Sequence, residues 1–212
     1  MESLFSRFKR ILSVLPLMVL SGAGIQLFFS YILGLLLSLS SEAADEYDRV
    51  MAPLLSMTPE MILHVCVRAP LFEELLFRGI GLGFFCLLFF LAFLKRKDAF
   101  SEEPVRAGRF LPRYGYAAAN VLQALLFGIY HGNIYQGGYA FIIGLIFGWI
   151  CLRARSVIPG IAAHSSVNLC GLIMESLLPA DTGEGIRFLL AAAGLFLTIT
   201  CLRRFANRET IH

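Results

Sequence analysis

The chain has 212 residues, of which 58% are hydrophobic and 16% are charged, and its mean hydropathy is +0.73. Soluble domains are about 45–50% apolar and about 25% charged, so this composition indicates an integral membrane protein. The formal net charge is only +3, and no basic stretch alternates with aromatic residues, which argues against a nucleic-acid partner. The five cysteines lie in apolar segments without a CxxC pattern, so they predict neither a disulfide framework nor a metal knuckle.

The hydropathy pattern predicts an all-α fold: one membrane domain, residues 1–212, built as a bundle of about six spans around a polar cavity. The polar segments 40–60 and 98–113 are expected to be loops. The expected spans are residues 11–39, 71–94, 114–130, 139–152, 159–178 and 188–202.

The second apolar stretch needs a break if it is to cross a membrane once. Thr58, Pro59 and Glu60 form a helix start, with a hydroxyl N-cap, a proline in the first turn and an acid after it. The stretch 61–94 would be about 50 Å long as a helix, against a hydrocarbon core of about 30 Å. We therefore expect a break at Pro70, with residues 61–69 as a lead-in at the membrane interface.

The basic residues alternate between successive loops as the positive-inside rule requires. All lysines and arginines except Arg49, Arg68, Arg78 and Arg187 fall in segments that share one side of the membrane with the amino terminus. This pattern predicts a multi-pass protein of the cell membrane with a cytoplasmic amino terminus.

Three charged side chains lie inside the second span, where an ionisable group costs several kcal/mol. Glu74 and Arg78 are four residues apart and are predicted to pair on one helix face. Glu73 points to another sector, which makes it the candidate working carboxylate. The competing interpretation is that both acids only neutralise arginines, with Arg68 as the second partner.

Two other spans carry polar side chains at helical spacing. Residues Asn120, Gln123, Phe127 and His131 form one stripe, which we expect to face a polar cavity, and His164 and Asn168 form another. Two glycine pairs, Gly79/Gly83 and Gly144/Gly148, have the spacing at which helices approach closely. The alternative is that they are glycines of the kind common in membrane helices, without a special contact.

These groups suit peptide hydrolysis without a serine or cysteine nucleophile. A carboxylate and a histidine can take a proton from water, and a second histidine with an amide can stabilise the resulting oxyanion. No cofactor is favoured. The alternative is one zinc ion held by Glu73, His131 and His164, although the chain has no HExxH motif.

The three motifs Glu73-Glu74-x-x-x-Arg78, Phe127-x-x-x-His131 and His164-x-x-x-Asn168, in this order on separate hydrophobic helices, resemble those of the CPBP family of intramembrane proteases. That family includes the type II CAAX prenyl endopeptidases and the bacteriocin-immunity (Abi) proteins. The resemblance covers residues 68–168, which would form the protease core.

The resemblance implies a peptidase in which Glu73 and His131 activate water while His164 and Asn168 stabilise the oxyanion, with Glu74, Arg78 and Phe127 as structural support. The implied partners are the bilayer and a peptide or membrane-protein substrate, with or without a lipid modification, in a bacterial inner membrane. Family members are described both as metalloproteases and as glutamate proteases. Two other functions stay open: a non-catalytic immunity or adaptor protein of the same fold, and an ion or proton pathway.

Overall fold

The computed structural model describes residues 4–54, 57–95, 111–179 and 181–208, and these residues form helices and no strand. Residues 98–110 of the expected loop 98–113 lie outside the described residues. The multi-pass helical bundle expected from the composition is confirmed. The described helices are α1 (Leu4–Leu37), α2 (Ser41–Met51), α3 (Pro59–Lys95), α4 (Arg113–Tyr130), α5 (Ile134–Ala154), α6 (Ile158–Leu177) and α7 (Glu184–Arg208).

Four of these helices, α1, α3, α5 and α7, are long and apolar enough to cross a membrane. Helices α4 and α6 have 18 and 20 residues, or about 27 and 30 Å, which is close to the thickness of a hydrocarbon core. Their hydropathy is lower because they carry the polar side chains Asn120, Gln123, His164 and Asn168. Length and hydropathy alone therefore identify four of the six expected spans. The remaining two, α4 and α6, are less apolar because they carry these polar side chains.

Residues 40–60 were expected to be a polar loop, and this expectation is wrong because most of the segment is helix α2. The Ser40 side chain caps this helix by accepting a hydrogen bond from the Ala43 amide at 3.3 Å. Glu42 in the first turn and Arg49 in the last turn both complement the helix dipole. A capped, amphipathic helix can thus form in an acidic segment that has too few apolar residues to cross a membrane.

Helix α3 begins as predicted but does not break at Pro70. The Thr58 hydroxyl accepts a hydrogen bond from the Met61 amide at 3.3 Å, and the helix then runs for 37 residues to Lys95. Two π-helical segments, His64–Arg68 and Glu74–Gly81, lie before and after Pro70. A π turn shifts the hydrogen bonds by one residue, which lets the chain continue through a proline that lacks an amide hydrogen.

Helix α1 packs mainly against α6 and α7, and the core lies where these helices meet α5. Val14 and Met18 of α1 and Phe147 of α5 are fully buried there. A Cβ atom on Gly24 would come within 2.6 Å of the Gly194 carbonyl oxygen, so glycine is what lets α1 and α7 approach so closely.

The two glycine pairs differ in their surroundings. A Cβ atom on Gly144 would lie 3.2 Å from the Cβ of Ala124, and one on Gly148 would overlap the side chain of Asn120. A Cβ atom on Gly83 would meet open space, and one on Gly79 would make only ordinary contacts at 3.9 Å and beyond. The pair on α5 therefore marks a close contact with α4, whereas the pair on α3 marks none.

Candidate active site

The charged residues of α3 form a buried ion pair beside a less buried carboxylate. Glu74 and Arg78 are 0% and 3% exposed, and Arg78 Nη1 lies 2.9 Å from Glu74 Oε1, without the alignment of a hydrogen bond. The guanidinium carbon also lies 4.0 Å from the ring centre of Phe127 and 5.5 Å from that of Phe147. Two aromatic faces and one carboxylate thus compensate the buried cation.

Arg68, considered above as a second partner for the acids of α3, lies elsewhere. Its guanidinium is 3.5 Å from the Glu60 carboxylate, and both side chains are largely exposed. Glu73 therefore does not share its carboxylate with this arginine. Its side chain is 13% exposed, and its ion-pair contact is with His164.

His164 lies between the two carboxylates of α3. Its Nδ1 is 2.9 Å from Glu74 Oε1, and its Nε2 is 3.7 Å from Glu73 Oε2. A carboxylate paired with arginine can only accept, so Nδ1 must carry the hydrogen that Glu74 binds. This contact orients the ring and directs Nε2 toward Glu73, as a carboxylate does for a catalytic histidine.

The contact between Glu74 and His164 was not anticipated from the sequence. Helical spacing predicts the Glu74–Arg78 pair, but a carboxylate has two oxygens and can serve a second donor from another helix. No local pattern indicates which of Glu73 and Glu74 would meet His164.

His131 caps the C-terminal end of α4 and is also fixed through its Nδ1 atom. That nitrogen lies 2.8 Å from the carbonyl oxygen of Phe127, which can only accept, so Nδ1 donates and Nε2 is left as the free acceptor. The His131 ring packs edge-on against Phe127, with 4.7 Å between ring centres. The same Phe127 ring lies 5.9 Å from the ring of His164, so one aromatic side chain separates the two imidazoles.

Glu73 and His131 make no ion pair or hydrogen bond with each other within the ranges that the structure describes. The imidazole within ion-pair distance of Glu73 is that of His164, whose Nε2 lies 3.7 Å from Glu73 Oε2. A pairing of Glu73 with His131 therefore requires a bridging molecule such as water. Catalytic contacts are commonly loose until substrate binds, so this separation is compatible with a shared role.

Asn168 lies one turn beyond His164 and binds the backbone of α3. Its Nδ2 donates a hydrogen bond of 2.8 Å to the carbonyl oxygen of Val65, in the first π-helical segment. The partner of that carbonyl in a π turn would be the amide five residues later, at Pro70, which has no hydrogen to donate. Asn168 supplies the missing donor, and its second amide hydrogen stays available.

Asn120 and Gln123 join α4 to α5 instead of facing an open cavity. Asn120 donates to the Leu145 carbonyl at 2.9 Å, and Gln123 donates to the Gly144 carbonyl at 3.0 Å and to Asn120 Oδ1 at 2.8 Å. The expectation that these two side chains face a cavity is therefore wrong. Their amide nitrogens donate to backbone carbonyls of the neighbouring helix, as amides in membrane bundles do, while the Gln123 Oε1 atom is buried without a hydrogen-bond partner in the described residues.

Two further polar side chains near Glu73 were not singled out from the sequence. Tyr139 of α5 is hydrogen-bonded to Gln136 and lies close enough to Glu73 for an electrostatic interaction, and His64 of α3 interacts with Glu73 in the same way. Tyr139 lies on another helix, and His64 is nine residues before Glu73 on α3, about 180° away at regular α-helical spacing, so no helical stripe links either residue to Glu73.

The donor types that zinc uses are present among the candidate residues. His131 and His164 each bind an acceptor through Nδ1 and leave Nε2 free, which is how zinc-binding histidines are commonly oriented. In the part of the chain that the structure describes, no group of three or more His, Cys, Asp or Glu side chains is arranged to hold a metal ion.

Comparison with known protein families finds one matching family model, described as "Type II CAAX prenyl endopeptidase Rce1-like", over residues 55–170. That range is more than half of the chain and contains all three sequence motifs. Neither the curated proteins nor the solved structures contain a match.

Proposed function

The chain belongs to the Rce1-like family of type II CAAX prenyl endopeptidases, and we propose that it hydrolyses peptide bonds within the membrane by direct activation of water. Family membership and the multi-pass fold together indicate an intramembrane peptidase with a peptide substrate. The observation that carries the proposed chemistry is the position of His164 between two carboxylates. Glu74 binds its Nδ1 atom, which directs its Nε2 atom toward Glu73.

Glu73 acts as the general base in this mechanism, and His131 is the second acceptor for the same water. The water gives a proton to the Glu73 carboxylate while its oxygen forms a bond to the substrate carbonyl carbon. The π electrons of the carbonyl move to its oxygen and create an oxyanion. The oxyanion then re-forms the carbonyl as the carbon–nitrogen bond breaks, and Glu73 passes its proton to the leaving amide nitrogen. The products are a carboxylic acid and an amine, and transfer of the acid proton to the amine gives the carboxylate and the ammonium.

His164 and Asn168 stabilise the oxyanion in this proposal. Because Nδ1 of His164 already donates to Glu74, donation to the oxyanion requires a hydrogen on Nε2, and therefore an imidazolium that the Glu74 carboxylate stabilises. Asn168 donates with the amide hydrogen that Val65 does not use. Removal of one such donor lowers catalytic rates about 10²–10³-fold in other hydrolases.

A zinc ion bound by Glu73, His131 and His164 is the alternative way to activate the water. We propose the metal-free chemistry because the acid and the imidazoles can transfer protons unaided and are not arranged as a three-ligand group. Protein treated with chelator and shown to be metal-free should keep full turnover. Loss of turnover that returns when zinc is added would overturn the metal-free proposal.

The substrate class is a peptide or membrane protein whose scissile bond reaches the region between α3, α4 and α6. A lipid-modified substrate is the natural first probe, because the matching family is named for prenyl endopeptidases. We further propose that the amino terminus is cytoplasmic, as the distribution of basic residues predicts, and that the membrane is a bacterial inner membrane, as the family resemblance implies. Reporter fusions after Lys97 and after Asn133 test this orientation.

The test of the peptidase proposal is Glu73→Gln, with Glu60→Gln as the matched control. Both substitutions remove one carboxylate from the same helix, but the Glu60 side chain is 85% exposed and its ion pair is with Arg68, which is itself largely exposed. With a farnesylated peptide in proteoliposomes, Glu73→Gln should lower turnover about 10²–10⁴-fold, whereas Glu60→Gln should leave it unchanged. Full activity of Glu73→Gln would exclude Glu73 as the base.

Cells provide a second readout that does not depend on the chosen peptide. Membrane proteomes from cells with the wild-type chain and with Glu73→Gln should differ in at least one new peptide terminus. An immunity or adaptor protein that only binds its partner would instead keep its phenotype in both Glu73→Gln and His164→Ala.

A further inference from the structure

An apolar groove lies on the outside of the bundle between α5 and α7, away from Glu73 and His164. Its volume is about 460 Å³, within the range of about 300–1,000 Å³ that small-molecule pockets span. Among the described residues that line it, Arg203 is the charged one. The groove is lined by Leu145, Ile146, Trp149, Ile199, Leu202, Arg203 and Ala206.

Both walls of the groove belong to helices that can cross a membrane, so its open side faces lipid. The lining residues of α7 recur at intervals of three and four and form one stripe on that helix. Arg203 lies five residues, or about 8 Å, before the end of α7 at Arg208 and directly follows the expected span 188–202, where the lipid headgroups begin. The groove is thus apolar along its length, with an exposed cation at one end.

Three stretches of chain form a basic surface around that end. The Arg208 guanidinium donates to the Ser13 carbonyl at 2.9 Å, that of Arg153 donates to the Ala206 carbonyl at 2.7 Å, and that of Arg7 contacts the Arg155 carbonyl. Residues 4–14, 150–158 and 200–208 together contain eight lysines and arginines and no acidic residue. Arg153 is engaged with the backbone, whereas Arg203 lines the groove itself.

We propose that this groove is a binding site for an anionic phospholipid, with an acyl chain along the apolar walls and the phosphate at Arg203. Guanidinium groups bind phosphate oxygens with two parallel hydrogen bonds, and basic clusters next to membrane helices attract anionic headgroups. A zwitterionic lipid would fill the same walls but would gain less from the basic surface. The site is independent of the peptidase chemistry proposed above.

Trp149 provides a direct probe, because it is the single tryptophan of the chain and lines the groove. The full-length protein is reconstituted in phosphatidylcholine vesicles that contain increasing fractions of dibrominated phosphatidylglycerol or dibrominated phosphatidylcholine. Bromine quenches tryptophan fluorescence on contact, so the mole fraction that gives half of the maximal quenching measures occupancy of the groove. Arg203→Gln removes the charge, and Arg204→Gln is the matched control at an adjacent exposed arginine that is not part of the lining.

Brominated phosphatidylglycerol should reach half of the maximal quenching at an about fivefold lower mole fraction than brominated phosphatidylcholine, since one basic residue near an anionic surface contributes about 1 kcal/mol. The separation between the two curves should shrink in Arg203→Gln and stay as in the wild-type protein in Arg204→Gln. Coincident curves in the wild-type protein, or unchanged selectivity in Arg203→Gln, would overturn the proposal. A competition experiment gives a second test. If a farnesylated peptide relieves the quenching and unbrominated phosphatidylglycerol does not, the groove holds substrate and the proposal is overturned.

Discussion

Glu74 contacts a buried guanidinium and an imidazole at once, so its replacement should affect stability and catalysis separately. The carboxylate is fully buried, and its Oε1 atom lies 2.9 Å from both Arg78 Nη1 and His164 Nδ1. Glu74→Leu removes both contacts and places an apolar side chain of similar size at this buried position.

The stability effect follows from the cation that stays behind. Arg78 is 3% exposed, and removal of one partner of a buried ion pair costs about 3–5 kcal/mol. For a chain of this size, 1 kcal/mol shifts the thermal midpoint by about 2–4 °C, so Glu74→Leu should lower it by at least about 6 °C. In the double variant Glu74→Leu/Arg78→Met no charge is left uncompensated, and most of this loss should be recovered.

The catalytic effect should remain in the double variant. Leucine cannot accept the Nδ1 hydrogen of His164, so the ring loses the contact that directs Nε2 toward Glu73. Turnover should therefore stay about 10²–10⁴-fold below that of the wild-type protein. Arg78→Met alone keeps Glu74 and its contact with His164, so it should lose stability but retain more turnover than the double variant.

The assay combines thermal unfolding in detergent with cleavage of a fluorogenic peptide, measured well below the midpoint of every variant. A double variant that is as stable and as active as the wild-type protein would refute the role assigned to Glu74 in orienting His164. Equal stability of Glu74→Leu and the wild-type protein would refute the inference that Arg78 needs a buried partner.

Two further predictions concern how the helices are joined. Gly148→Ala should destabilise the bundle by about 1–3 kcal/mol, because the added methyl group overlaps a polar side chain of α4. Gly83→Ala should be tolerated, because its methyl group meets open space. Thermal midpoints in detergent compare the two variants. Asn168→Ala should lower the stability of α3 by about 1–3 kcal/mol, because the Val65 carbonyl loses its hydrogen-bond donor. Adding Pro70→Ala should restore part of this stability by supplying a backbone amide. Hydrogen exchange of the α3 amides measures both effects.

Each of these two predictions has an outcome that contradicts it. Equal midpoints for Gly148→Ala and Gly83→Ala would show that α4 and α5 can separate without cost. Exchange in α3 that is the same in Asn168→Ala and in Asn168→Ala/Pro70→Ala would show that the missing amide of Pro70 is not what Asn168 compensates.

Much of the helical architecture can be predicted from hydropathy and capping residues. The start of α3 at Thr58 and the pairing of Glu74 with Arg78 both depend on neighbours within one turn of helix, which residue spacing determines directly. Two of the three errors are also local, and the third, the expected cavity at Asn120 and Gln123, depends on a neighbouring helix. The acidic composition of residues 40–60 predicts a loop in spite of the cap at Ser40, and Pro70 predicts a break because a π-helical path through a proline leaves no simple sequence signal.

The sequence by itself determined that the chain is a helical membrane protein and which charged residues share a face of α3, because both depend on composition and on the 3.6-residue repeat. The tertiary structure decided that His164 reaches both Glu73 and Glu74, that Asn168 binds the Val65 carbonyl, and that Asn120 holds α5. Those contacts join residues 25 to 103 positions apart. They depend on how far each helix is rotated and shifted against its neighbour, which is set by the packing of whole helix surfaces and not by the periodicity of any one helix.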